Sequence, residues 1–288
     1  MTLQQWFDSG QFLKVNGNNI FYTHSGEGVP VVFIHGFPTS SWDWYKVWHQ
    51  LKPSFHCITF DLLGFGFSDK PLQTYTIAEQ ADIVCAVLEK LNIASCHIVS
   101  HDYGDTVAQE LLARRQGGVL PFDICTVSLL NGGLFPETHR PVLTQKLLLS
   151  PLGKLAVRLI KKRSLERNFK RIFGPDTSPS ETELDQIWAS IIYNHGHLVM
   201  HKLIAYMTER RKNRTRWVGA LQQTNVPLVL INGLADPISG EHLVTRFEQL
   251  VPQGEVIRLP EIGHYPQLED PQAVSDALFT MLSNKEQV

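Results

Sequence analysis

Three side chains have the types and the order needed for covalent hydrolytic chemistry: carboxylates at Asp102 and Asp236, and an imidazole at His264. Asp102 is the centre of Ser100-His101-Asp102-Tyr103-Gly104, between an apolar β-branched run and a helical pattern. Small residues at both ends permit a tight strand–turn–helix bend that thrusts the central side chain outward. Taken alone, the pentapeptide reads equally well as a helix N-cap. An aspartate near its reference pKa of about 4 is ionised at neutral pH and needs no base to activate it. Attack on an ester carbonyl would form a reactive anhydride, whereas attack on an sp³ carbon bearing a leaving group forms an ordinary ester. His264 lies in Glu261-Ile262-Gly263-His264-Tyr265-Pro266, and Asp236 in Asn232-Gly233-Leu234-Ala235-Asp236-Pro237. Oriented by Asp236, the imidazole could deprotonate a water that attacks such an ester. His35-Gly36-Phe37-Pro38, after another apolar run, offers the Phe37 N–H as a donor to the developing oxyanion, paired with that of Tyr103. No G-x-S-x-G occurs, so a serine esterase is set aside.

These groups need a frame of strand ends. Apolar, β-branched runs predict strands over 30–34, 55–60, 96–99, 124–130, 227–231 and 255–259, with an N-terminal hairpin from 12–15 and 19–23. Helical patterns lie between them, as at 77–91, where Ile83, Val84, Val87, Leu88 and Leu91 share a face. The alternation predicts an α/β fold with a mostly parallel eight-stranded sheet flanked by helices. It breaks between Gly133 and about Gln222, where only helical patterns occur, over 142–149, 152–160, 181–193 and 198–210. The expected organisation is a core over 1–132, a helical cap over 133–222 and the rest of the core over 223–288. An insertion there would lie over the carboxyl edge of the sheet, where ligands bind.

The chain has 288 residues, 43% hydrophobic and 19% charged, with a formal net charge of -2, which gives no general reason to expect nucleic acid as a partner. No run approaches the length of a membrane span, and the first residues have neither a basic nor an apolar leader region, so a cytoplasmic protein is expected. The four cysteines show no metal-binding or redox spacing and read as reduced thiols. Residues 133–222 carry 16 Lys+Arg against 7 Asp+Glu. The runs Lys161-Lys162-Arg163 and Arg210-Arg211-Lys212-Asn213-Arg214 read first as solvated helix faces, and second as a surface for an anionic ligand.

The motifs above, with Asp61-Leu62-Leu63-Gly64-Phe65-Gly66-Phe67-Ser68-Asp69-Lys70-Pro71 and the segment from Asn131 to Pro141, resemble the epoxide hydrolase and haloalkane dehalogenase branch of the α/β-hydrolases. Within it they are similar to the mesoderm-specific transcript group and its bacterial relatives. The resemblance implies catalysis by Asp102, Asp236 and His264, an oxyanion hole at Phe37 and Tyr103, and no metal or cofactor. It implies a small-molecule substrate, an epoxide or alkyl halide, and a monomer or homodimer. Dehalogenases of the branch usually carry Trp after the nucleophile and often Asn at the position of Phe37; Tyr103 and Phe37 depart from that pattern. Epoxide opening needs an acid for the alkoxide, supplied in relatives by cap tyrosines, and Tyr206 matches one such position. A second donor at Tyr193 or His195 is fixed by no motif. His35, Trp42, His101, Asn131, Tyr193 and Tyr265 complete the expected pocket. Epoxide hydrolysis is the preferred expectation, a haloalkane or haloacid dehalogenase the alternative, and a non-catalytic binding or scaffold protein the reading of another class.

Overall fold

The computed structural model describes residues 1–283. Its eight strands are β1 (Gln11–Val15), β2 (Asn18–Ser25), β3 (Pro30–Ile34), β4 (His56–Phe60), β5 (Ser95–His101), β6 (Asp123–Leu130), β7 (Leu228–Gly233) and β8 (Glu255–Leu259). They form one sheet in the order β1-β2-β4-β3-β5-β6-β7-β8. The β1–β2 and β2–β4 pairs are antiparallel and the remaining five parallel, so the sheet is mixed only at its N-terminal edge. Central strands covered by helices on both faces are buried: β3 is apolar throughout, while β5 and β6 also bury His97, Ser100, Thr126 and Ser128 among their apolar residues. Val31 to Ile34, Ile98, Val99 and Val127 are fully buried.

The helix Ile77–Lys90 starts at Thr76, whose side chain accepts from the Glu79 N–H, and buries Ile83, Val84, Val87 and Leu88 as the apolar spacing demands. Leu3–Asp8 forms a helix that no sequence signal identified. Its Trp6 is completely buried and donates to Ser41 Oγ at 3.0 Å, so one indole docks the N-terminus on the core.

Between β6 and β7 all regular structure is helical. Helices at Leu143–Leu149 and Glu181–Ile192 match the expected ones. The pattern over 152–160 is a short helix, Gly153–Ala156, continued as a 3₁₀ turn. The single helix expected over 198–210 is broken into Met200–Leu203 and Tyr206–Lys212, preceded by a 3₁₀ segment in which Asn194 and His195 have positive φ. Two further helices, Lys162–Ile172 and Arg214–Gln223, fall on stretches read only as charge runs or left unassigned. In the first, Leu165, Phe169 and Ile172 recur at helical spacing and are buried, beneath a face of Lys and Arg.

Candidate active site

Asp102 directly follows β5 and stands at the N-cap position of the helix Tyr103–Gln116, with φ 46° and ψ -99°. A non-glycine residue in that region stores roughly 1–3 kcal/mol of backbone strain, which packing around it must hold. Gly104 is part of that packing: a Cβ there would sit 2.4 Å from the Ile34 carbonyl oxygen, so only glycine lets the helix start against β3. The Phe37 N–H donates to Asp102 Oδ2 at 3.1 Å. One carboxylate oxygen is thereby held by a backbone donor, while Oδ1 faces the Arg210 guanidinium at 3.6 Å.

The second carboxylate is heavily organised. Asp236 Oδ2 accepts from His264 Nδ1 at 2.7 Å, from Asn131 Nδ2 at 3.0 Å, and from the backbone and hydroxyl of Ser239, both at 3.1 Å. Oδ1 accepts from the Ile238 N–H at 2.8 Å. Burial works to raise the Asp236 pKa, but the His264 charge and these hydrogen bonds outweigh it and hold the carboxyl below its usual range. For His264, burial disfavours the cation, yet Asp236, helped by the charge of Asp102, pushes the imidazole up to about 9. Hydrogen bonding from Nδ1 to Asp236 fixes the tautomer and leaves Nε2 for chemistry.

The loop bearing His264 is pinned from both sides. Glu269 accepts from Gly263, Tyr265 and Gly174 N–H groups at 2.7–2.8 Å, and the His264 N–H donates to the Ile172 carbonyl at 2.7 Å. Gly174 and Ile172 belong to the helical insertion, which therefore sets the position of the imidazole directly.

A cavity of about 130 Å³ reaches His264, Phe37 and Tyr265 from the insertion side. Its walls are largely apolar, from Leu148, Leu165, Phe169 and Ile172 to Trp188 and Met200, with Asn168, Gln145 and Arg171 as polar exceptions. Asp102, Tyr103 and Tyr206 are not among the residues that line it, and Asp102 is buried at 2% exposure.

Several residues expected to line the pocket stand elsewhere. His35 is buried within the loops: its Nδ1 bonds Gly36 O at 2.9 Å and its Nε2 accepts from the Leu62 N–H at 3.0 Å. With both nitrogens spent, it ties the Phe37 loop to the Asp61–Pro71 motif. Asp61 does the same by accepting from the Ser41 and Phe67 N–H groups at 2.7 and 2.6 Å. Trp42 stacks on Tyr45 at 4.4 Å, away from the cavity. His101 is packed under the histidine loop, bonded through Nε2 to His264 O at 2.7 Å. Asn131 orients Asp236 rather than substrate. Tyr193 packs on Phe67 at 5.0 Å with Lys70 over its ring, and His195 is exposed on the surface; neither lines the cavity, because the break in the helix turns them outward. Of that group, Tyr265 alone lines it, stacked on Phe169 and Phe173.

Tyr206 is buried beside Asp102, its ring 4.8 Å from Tyr103 and 6.1 Å from Phe37. Its hydroxyl makes no well-formed hydrogen bond, but the Asp102 carboxylate and the Arg210 guanidinium both lie near enough to act on its proton. Burial first, and the Asp102 charge second, raise its pKa above that of an ordinary phenol, so it holds its proton. One turn further on, Arg210 donates from Nη2 to the Asp102 carbonyl at 2.9 Å and from Nε to Thr106 Oγ1 at 2.6 Å, with Nη2 3.6 Å from Asp102 Oδ1. It is 3% exposed. In the sequence Arg210 is one cation within a basic run, and its i+4 spacing from Tyr206 is the only hint that both point inward.

The sheet order, the helical insertion after β6 and the strained aspartate after β5 describe an α/β-hydrolase architecture. The alpha/beta hydrolase family model matches residues 31–277, and the chain belongs to that family. It is 45% identical to the mesoderm-specific transcript homolog protein of Bos taurus over 295 residues, 98% of this chain and 88% of that one. A putative hydrolase, LipZ, of Mycobacterium tuberculosis is 36% identical over 285 residues, 98% of each chain. Among solved structures, a loop variant of the haloalkane dehalogenase DbeA from Bradyrhizobium elkanii superposes with a TM-score of 0.80 at 23% identity, covering 96% of this chain and 97% of that one. The epoxide hydrolase CorEH does so with a TM-score of 0.78 at 19% identity, covering 96% and 98%. At such identities these two likenesses concern the fold.

Proposed function

We propose that the protein hydrolyses epoxides to diols through a covalent alkyl-enzyme ester on Asp102, with the helical segment 133–222 acting as a cap. The observation that carries this reading is the bond from the Phe37 N–H to Asp102 Oδ2. It leaves Oδ1 to attack carbon, and Oδ2 then becomes the ester carbonyl oxygen, already seated on a donor. When water attacks that carbonyl, negative charge develops on Oδ2 where Phe37, and in this reading Tyr103, stabilise it.

Esterification also prepares the base. Asp102 loses its charge when alkylated, which removes one of the influences that raise the His264 pKa. The imidazole then gives up its proton more readily and can take one from water at Nε2, while Asp236 stabilises the resulting cation. Tyr206 supplies the acid that ring opening requires: a neutral phenol next to Asp102, whose charge helps it keep its proton. An alkyl halide needs no proton for its leaving group, and no indole stands at position 103 to receive a halide.

A single turnover in oxygen-18 water, with styrene oxide and separately with 1-bromobutane, tests the reading. Covalent catalysis places unlabelled Asp102 oxygen in the first diol and label in the protein. Label passing straight into product would remove Asp102 as nucleophile, and bromide release without epoxide turnover would make the protein a dehalogenase.

A further inference from the structure

The helical insertion carries a surface that the reaction does not use. Among the described residues eleven large apolar side chains are exposed, and five of them, Leu143, Leu147, Leu152, Leu155 and Leu159, fall within seventeen residues of chain. Leu143 is 76% exposed and Leu159 69%, far more than an ordinary partly covered leucine. Their spacing is helical. Leu152, Leu155 and Leu159 share the outer face of the Gly153–Ala156 helix and its 3₁₀ continuation, while Val157 faces inward and is buried. Leu143 and Leu147 repeat the arrangement one helix earlier.

Cations frame this face. No Asp or Glu occurs between Glu137 and Glu166, and Lys146, Lys154, Arg158, Lys161 and Arg163 are all exposed there. Lys162 bridges to Asp185 at 2.6 Å, but those five have no carboxylate partner among the described residues. A solvated helix face has no reason to interleave leucines with unpaired cations. A helix lying in a lipid interface does: apolar side chains enter the acyl boundary while Lys and Arg meet anionic headgroups. The face also reaches the cavity at one end, since Leu143, on the surface, lines the same cavity as His264.

The geometry points to the segment Leu143–Arg163 as a docking surface for an anionic phospholipid membrane, which brings the cavity mouth against the bilayer and favours lipophilic substrates. This rests on surface chemistry alone and stands or falls independently of which bond Asp102 attacks.

Co-sedimentation with vesicles of mixed phosphatidylglycerol and phosphatidylcholine, against phosphatidylcholine alone, tests it. The intact chain is expected to bind the anionic vesicles at low salt, roughly tenfold or more tighter than the neutral ones, and to be released by high salt. Leu152→Gln with Leu155→Gln and Leu159→Gln removes binding to both, with an unchanged melting curve and unchanged turnover of a water-soluble epoxide. Lys154→Gln with Arg158→Gln and Lys161→Gln removes the preference for anionic lipid. Absence of binding by the intact chain, or binding that survives the leucine variant, overturns the proposal. So does a concentration-dependent dimer that the leucine variant alone dissociates, which would make the face a contact between copies of this chain.

Discussion

Replacing His264 with Gln separates the two halves of the proposed reaction. Glutamine can still donate from Nε2 to Asp236, so the carboxylate that His264 satisfies at 2.7 Å is not left bare. The loop itself is held by backbone groups that the substitution spares: His264 N–H to Ile172, His264 O to His101, and the Glu269 contacts. Alkylation should therefore proceed, because Asp102 Oδ1 and the Phe37 donor are untouched. Hydrolysis of the ester loses its general base, worth about 10²–10⁴-fold in rate. If the two steps have comparable rates in the native protein, a slowing of at least about 100-fold leaves roughly 99% of the variant as ester at steady state. Intact-mass measurement after mixing with styrene oxide should show one substrate mass added, and proteolysis should place it on the peptide carrying Asp102. A folded variant that turns over at the native rate, or one that accumulates no adduct while losing activity, would refute the division of labour. In the native protein the same logic makes ester hydrolysis quicken as pH rises, levelling off below pH 9, since the charge that lifts the resting imidazole to about 9 is partly gone in the ester.

Tyr206→Phe should lower epoxide turnover by about 10²-fold or more while leaving any debromination of 1-bromobutane unchanged; equal effects on both would show that the ring packs rather than donates. Gly133→Ala should impair alkylation and lower stability as well, because a Cβ there would stand 2.1 Å from Arg210 Nη1 and push the buried guanidinium off the Asp102 carbonyl. A pre-steady-state rate equal to native would count against Arg210 as a positioning residue. In urea unfolding, the stability gap between native protein and His264→Gln should depend on pH with a definite sign. The His264 pKa is raised on folding, so its contribution is full below 6.5 and is lost as pH rises through about 9. A gap that widens over that interval would contradict the buried ion pair.

What the sequence disclosed, and what it hid, divides along one physical line. Strand ends were legible because a buried parallel strand must be apolar and must stop at a turn, which located Asp102, Asp236 and His264 by context. Of the two expected backbone donors, that of Phe37 meets Asp102 in the structure. The insertion was less legible. Its basic residues mask the stripe of Leu165, Phe169 and Ile172 that walls the cavity, and the positive φ angles at Asn194 and His195 break a periodicity that looks continuous. Pocket membership was the weakest inference, since His35, His101 and Asn131 are polar residues near the site whose hydrogen bonds are spent on other parts of the protein. Spacing tells which way a side chain leaves its own element, not which partner it finds across the sequence.

The insertion presents Tyr206 and Arg210 to one side of Asp102 and the Ile172 carbonyl to the backbone of His264. Asp102 and His264 therefore sit on the sheet, yet both are held by groups that arrive from the insertion. A buried guanidinium bonded to the elbow carbonyl is costly to uncover, because removing one member of such a pair strands the other. Opening the insertion would then disturb Asp102 and the His264 imidazole together. Substrate is better admitted through the existing cavity mouth near Leu143 than by lifting the whole segment.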